Sequence, residues 1–420
     1  MSRIQERYYI AINLELRSPL SVANGDDRYT DADVVRSADG EVFLPGTSIA
    51  GVFRAYMDQK EKSNAIMGFS EEEKGRMSAL FIRDAYFEQP KVSVRDGVRL
   101  KDHIVEPGGK FDFEMIETGA KTTLYLEYVK RENDAENGLA WIAKMIQGMD
   151  CGDIRFGAKK NRGFGSVKVQ QVYKAEFSCA QRKEWIAFCS EGEPIQQQDY
   201  EWNDWKTSVQ PQEEKYVTIS LPLRLDGGIS IRKYSADPSK ADFEHITCNE
   251  KPVIPGSSWN GAIRARINEI LEEVGCGGKK RKKLIDFWFG YVEKNEACQS
   301  SIIFGESILE GSTRLVATRN KINRFDASTV EGGLYTEISY FGGTTNLQIK
   351  IRKKDGYEGL FGMILLVLDE IREGHIAIGG QTAVGRGIFK GNGELQIKPD
   401  IVSERADALV WLNQDIQRGE

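Results

Sequence analysis

Val42-Phe43-Leu44-Pro45-Gly46-Thr47-Ser48-Ile49-Ala50-Gly51-Val52-Phe53-Arg54 and, far downstream, Pro252-Val253-Ile254-Pro255-Gly256-Ser257-Ser258-Trp259-Asn260-Gly261-Ala262-Ile263-Arg264 decide how this 420-residue chain folds. In each, an apolar run ends at Pro-Gly, a hydroxyl pair follows, and a glycine and then an arginine arrive at equal steps. The pattern predicts a strand feeding a helix. The hydroxyls, Ser48 and Ser258 among them, fall where an N-cap belongs. Arg54 and Arg264 lie about two turns into the helix, so that backbone N–H groups and a cation face one anion. Taken singly, either stretch is better explained as an ordinary capped turn. Its repetition is what raises the reading of a phosphate grip used twice.

Neighbouring features repeat in the same order. Asp31 stands ahead of the first stretch as Asp242 stands ahead of the second, and Met67-Gly68 is answered by Phe289-Gly290. Gly138-Leu139 and Gly359-Leu360 each open an apolar helical pattern, and each is followed at nearly equal distance by a glycine-rich loop, Gly163-Phe164-Gly165 or Gly385-Arg386-Gly387. Self-similarity of this kind marks a duplicated unit. Alternation of Tyr8, Ile10, Ile12, Leu14 and Leu16 predicts a half-buried strand. Residues 79–87, 122–128 and 166–172 read as further strands, 48–60 and 138–146 as helices, and 93–117 as a long hairpin. This order suits an α+β fold of two tandem ferredoxin-like, RNA-recognition-motif-like domains with inserted hairpins. The expected boundaries are 1–175 for the first domain, 176–213 for a Gln-rich linker with a Trp- and Cys-containing helix near 183–189, 214–400 for the second domain, and 401–420 for a helical tail.

Composition limits the function. Lys and Arg total 57 against 63 Asp and Glu, a net charge of −6, so no global positive field recruits nucleic acid or anionic membrane, and any nucleic-acid site is local or shared with partners. The six cysteines form no Cys-x-x-Cys pair, which fits reduced thiols in the cytoplasm. Arg3, Glu6 and Arg7 interrupt any signal pattern, and the longest apolar run, residues 360–368, is too short to cross a bilayer. The expectation is a soluble cytoplasmic protein without a membrane partner.

The glycine-rich loops match no nucleotide fingerprint: the P-loop-like spacing from Gly152 to Lys159 lacks Lys followed by Ser or Thr. Their basic residues Lys159, Lys160, Arg162 and Arg386 suit a polyanion, with a solvated tight turn as the bland alternative. The three histidines, His103, His245 and His375, form no zinc-hydrolase spacing, and His245 with Cys248, Cys276 and Cys298 is too loosely spaced for a persuasive zinc site. Asp31 and Asp242 occupy matched places in polar loops. Either one alone reads more readily as a solvated or capping carboxylate. Lys279-Lys280-Arg281-Lys282-Lys283 reads as a solvated face.

The constellation resembles the RAMP superfamily, specifically the tandem-fused backbone subunits of type III-D-like CRISPR effector complexes. The residues that carry the resemblance are Leu44-Pro45-Gly46-Thr47-Ser48 with Gly51 and Arg54, Ile254-Pro255-Gly256-Ser257-Ser258 with Gly261 and Arg264, Arg162-Gly163-Phe164-Gly165, Val384-Gly385-Arg386-Gly387, and the loop Asp31-Ala32-Asp33-Val34-Val35-Arg36. The resemblance implies ferredoxin-like domains with thumb-like hairpins, about 95–113 and 314–335 here. It also implies CRISPR RNA, complementary target RNA and other effector subunits as partners. Cleavage would be metal-dependent, with Mg²⁺ the expected cation and zinc disfavoured. Asp31 and Asp242 would then be the catalytic aspartates. Ser48, Arg54, Lys159, Lys160, Arg162, Ser258, Arg264 and Arg386 would hold RNA. Phe243-Glu244-His245 departs from the family's usual residues after the aspartate, and Asp26, Asp27 and Asp237 are neighbouring carboxylates. The alternatives are a non-catalytic scaffold of the same complex, or a ferredoxin-like enzyme for a small phosphorylated metabolite.

Overall fold

A computed structural model describes residues 3–23, 25, 29–57, 60–71, 74–101, 104–132, 134, 138–190, 215–234, 241–293 and 296–399. It divides into two compact units, residues 1–160 with 164–212, and 161–163 with 213–420. With 27% of the described residues in helix and 45% in strand, in largely antiparallel sheets, the fold is α+β.

In the first unit the strand Ile4–Leu16 lies between Val167–Ser178 and Lys121–Arg131, antiparallel to both. Leu80–Ile82 and Ala85–Glu88 continue the sheet beyond Lys121–Arg131. Helices Gly46–Met57 and Gly138–Asp150 connect the strands. This is the ferredoxin-like order, with the fourth strand beside the first, then the third and the second. Tyr8, Ile10, Ile12, Leu14 and Leu16 enter the main core with Ile49, Phe53, Ile142 and Ile146. The expected strand over 79–87 is two short strands.

The strand's other face is not open to solvent, as simple alternation would have it. Tyr9 and Ala11 pack with Phe177, Trp185 and Phe188 in a second cluster. The helix Arg182–Ser190 supplies the cover, with Trp185 Nε1 donating to Tyr9 Oη at 2.9 Å and the Arg7 guanidinium 4.8 Å from the Trp185 ring. Residues 176–190 are therefore part of the first unit and not linker. Residues 191–214 and the tail from 400 lie outside the described residues.

The second unit repeats the plan. Tyr216–Asp226 pairs with Thr344–Arg352 on one side and Ile388–Gly391 on the other, and Ile302–Phe304 completes the order. Val217, Ile219, Leu221, Leu223 and Leu225 point into a core with Trp259, Ile263, Leu360, Ile364 and Phe389. Each unit also carries a long hairpin. Val92–Lys101 pairs with Ile104–Ile116 in the first, and Thr313–Ile322 with Thr329–Phe341 in the second.

Candidate nucleic-acid interface

The two matched helices begin at Gly46 and Gly256, so Pro45 and Pro255 occupy the cap position, and Pro255 makes no side-chain cap bond. The expectation of hydroxyl N-caps is corrected: Ser48 and Ser258 lie in the first turn, where their own N–H groups donate to the carbonyls of Pro45 and Pro255 at 2.9 Å. Proline's fixed φ suits it to a helix entrance, and the carbonyls of Pro45 and Pro255 accept the first-turn N–H groups that a cap hydroxyl would otherwise take. In the first unit the Gly46 N–H donates to Asp84 Oδ1 at 2.7 Å, so a protein carboxylate already sits at the positive end of that helix.

Arg54 and Arg264 differ in use. The Arg54 guanidinium donates to Asn64 Oδ1 at 3.0 Å, Met67 O at 3.1 Å and Gly68 O at 2.9 Å, closing the C-terminus of the helix Lys60–Met67. Its matched position in the second unit, Arg264, is exposed and lies 5.8 Å from the Phe289 ring.

The glycine-rich loops have one construction in both units. A Cβ on Gly165 would lie 1.9 Å from Phe156 O, and one on Gly387 would lie 1.9 Å from Ile378 O. Both glycines have φ 76°, a left-handed conformation that strains a residue with a side chain. Their N–H groups are consumed by protein, Gly165 donating to Pro19 O and Gly387 to Gly228 O, each at 2.8 Å. Close backbone packing is thus what these glycines serve.

The charged side chains around the loops diverge. Lys160 and Arg162 are matched in the second loop by Thr382 and Val384, and Phe164 by Arg386. Burial pulls the Lys160 ammonium below its ordinary pKa. Lys159 and Gln381 share a left-handed backbone, φ 56° and 58°. Lys159 Nζ sits 3.7 Å from the Phe113 ring centroid, and Phe113 packs 6.0 Å from Phe164. Gln381 instead donates from Nε2 to Glu337 Oε2 at 3.1 Å, and the Arg386 guanidinium lies 4.4 Å from the Phe341 ring.

Both aspartates stand at the base of a hairpin. Asp112 N donates to Asp31 Oδ2 at 2.9 Å, and Thr336 N donates to Asp242 Oδ2 at 2.7 Å. Asp31 and Asp242 are exposed. Asp33 is buried and fully engaged, accepting from Tyr29 N, Thr30 N and Thr30 Oγ1 at 3.1, 2.9 and 2.8 Å. The rest of that loop is zipped to the hairpin strand: Glu114 accepts from Val34 N at 2.9 Å and grips Arg36 through both oxygens, at 2.7 and 3.0 Å, which raises the Arg36 pKa. Asp26, Asp27, Asp237 and His103 lie outside the described residues.

His245 belongs to the fold. Phe243–His245 is a strand parallel to Thr329–Phe341, which corrects the reading of this segment as a polar loop. The buried ring accepts from Ile231 N through Nδ1 at 3.0 Å, so Nε2 carries the proton and donates to Val253 O at 3.1 Å. Both nitrogens are committed, and burial lowers the pKa to about 4. In the basic run, Arg281 pairs with Glu272 at 2.9 Å and Lys282 with Asp286 at 3.7 Å.

The family model of the RAMP superfamily matches residues 13–168 and 222–390, well over half of the chain. This chain belongs to the RAMP superfamily. Its two matched regions are tandem ferredoxin-like RAMP domains with inserted hairpins, and the chain is a CRISPR-associated RAMP protein of an RNA-binding family. No curated protein matches it closely enough to be named. Among the described residues no helix is long and apolar enough to cross a membrane.

Asp84, Asp112, Glu114, Thr336 and Glu337 escaped the sequence reading. A signal for one of them was present: an aspartate between Phe111 and Phe113 in a strand is against β propensity.

Proposed function

We propose that this RAMP protein is a backbone subunit of a type III CRISPR ribonucleoprotein, type III-D-like, that holds CRISPR RNA in the cytoplasm and cleaves complementary target RNA at up to two positions. The observation that carries the reading is the matched placement of Asp31 and Asp242, each exposed and each anchored through Oδ2 by the backbone N–H of a hairpin residue. A carboxylate so placed beside a kinked target strand orients a 2′-hydroxyl toward the adjacent phosphate, and positioning of this kind supplies much of an enzyme's acceleration. Among the described residues no cluster of three or more His, Cys, Asp or Glu could hold a metal ion, so Mg²⁺ would be held by one carboxylate, Asp31 in one unit and Asp242 in the other, together with the RNA phosphate, and would supply positive charge there. Lys159, Lys160, Arg162, Arg264 and Arg386 serve as RNA contacts, with Ser48 and Ser258 in the adjoining helix turns. The bonds of Arg54 to helix carbonyls give it a supporting role.

A scaffold reading has its own support, because an aspartate bonded to a neighbouring backbone N–H is also what a structural loop needs. The assembled complex with labelled complementary RNA and Mg²⁺ separates the two. Asp31→Ala is expected to remove one product, Asp242→Ala the other, and the double variant both. Unchanged cleavage in the double variant overturns the catalytic assignment.

A further inference from the structure

The hairpin residues that hold the two aspartates differ, and the difference singles out one residue of the first hairpin. Asp112 N donates to Asp31 Oδ2 at 2.9 Å, and Asp31 N donates in return to Asp112 Oδ1 at 3.0 Å, so each carboxylate accepts from the other residue's backbone. In the second unit the forward bond is kept, Thr336 N to Asp242 Oδ2 at 2.7 Å. The residue that donates it is a threonine, and its hydroxyl faces Thr318 Oγ1 at 3.2 Å, on the hairpin's other strand.

We propose that Asp112 is a positioning residue that clamps the Asp31 loop to its hairpin, a carboxylate clamp that Thr336 does not reproduce beside Asp242. The proposal rests on the reading of Asp31 as the residue at the cut. A reciprocal pair fixes both the side chain and the backbone of Asp31, whereas the bond from Thr336 N fixes the Asp242 side chain, and the chain there is held to the hairpin from Phe243 onward, by strand pairing with Glu337. The bond Asp112 receives from Asp31 N needs an acceptor and no charge. An amide oxygen supplies that acceptor, which distinguishes positioning from a direct part in the chemistry.

The test uses the assembled complex with full-length chain, reading single-turnover cleavage at each position, target affinity, and hydrogen exchange of the peptide that contains residues 29–36. Asp112→Ala is expected to slow the Asp31-dependent cut about tenfold or more, the scale of a catalytic group displaced by a fraction of an ångström, with target affinity and the Asp242-dependent cut unchanged. Asp112→Asn is expected to restore most of that rate. Exchange in 29–36 should rise in the alanine variant and not in the asparagine variant, and Thr336→Asp should slow exchange around Asp242. The proposal is overturned if Asp112→Ala leaves exchange in 29–36 at the unsubstituted level, or if Asp112→Asn is as slow as Asp112→Ala. Should the unsubstituted complex make no cut, the cleavage reading fails, and the exchange comparison still decides the clamp.

Discussion

The bases of the two hairpins share a backbone and differ in chemistry. Lys159 and Gln381 adopt the same left-handed turn, yet one reaches the face of Phe113 and the other a carboxylate, Glu337, that is 1% exposed. Phe164 closes one site as a ring against Phe113, whereas Arg386 stands at its counterpart. Glu337 Oε1 and Arg386 Nε are buried without a hydrogen-bond partner among the described residues. Aromatic contacts add about 0.5–1.5 kcal/mol beyond area burial, whereas unsatisfied buried polar atoms cost free energy. Duplication therefore preserved the carbonyl cradle and the turns, and the side chains on them diverged toward an apolar, cation-capped site in one unit and a polar one in the other.

The shared cradle gives the largest expected effect. Gly165→Ala and Gly387→Ala each put a methyl group against a carbonyl oxygen at a positive-φ position, and each should cost about 4 kcal/mol or more in its own unit. Thermal unfolding of the two variants checks this; a large loss in only one unit would break the equivalence of the loops.

The two units should also differ in their response to pH. Val34 stands in the first unit where His245 stands in the second. Because the folded His245 pKa is about 4, below the ordinary 6.5, protonation favours the unfolded chain. The stabilisation is present above pH 6.5 and is lost as pH falls toward 4, by an amount on the order of 3 kcal/mol. Denaturant melts across that window should show the second unit weakening, and His245→Val should flatten its pH dependence even though Ile231 N loses its acceptor.

The loop charges contrast less sharply. Exchanging Lys160 and Arg162 for glutamine should weaken RNA binding about tenfold and reduce the salt slope by roughly 1.4, the single-strand value for two phosphates. Alanine at Thr382 and Val384 should leave both unchanged. Filter binding across a salt series measures the contrast. The arginine pair carries the smallest effect: Arg54→Ala should cost about 1–2 kcal/mol through the lost helix carbonyl bonds, while Arg264→Ala should cost under about 1 kcal/mol. Equal losses in thermal unfolding would show that Arg264 carries more of the fold than its ring contact indicates.

Duplication, element order, the hairpins and the core face of Ile4–Leu16 were legible from sequence because they are written in local patterns: alternation, helical spacing and Pro-Gly punctuation. The matched aspartates were legible for the same reason, as nearly equal offsets from those punctuation marks. Partners were not. Whether a helix N–H meets a hydroxyl or Asp84, whether Arg54 faces RNA or the carbonyls of Met67 and Gly68, and whether Asp31 finds Asp112 are settled by chain segments that meet only on folding; Asp31 and Asp112 are separated by 81 positions. The same holds for the covered face of the first strand, where the helix Arg182–Ser190 returns over Tyr9. Sequence determined the repeated scaffold because local propensity and period suffice to set it. Tertiary structure decided which polar groups are engaged within the protein and which stay exposed, because a hydrogen-bond donor or acceptor buried in packing costs free energy unless the fold brings a partner within reach.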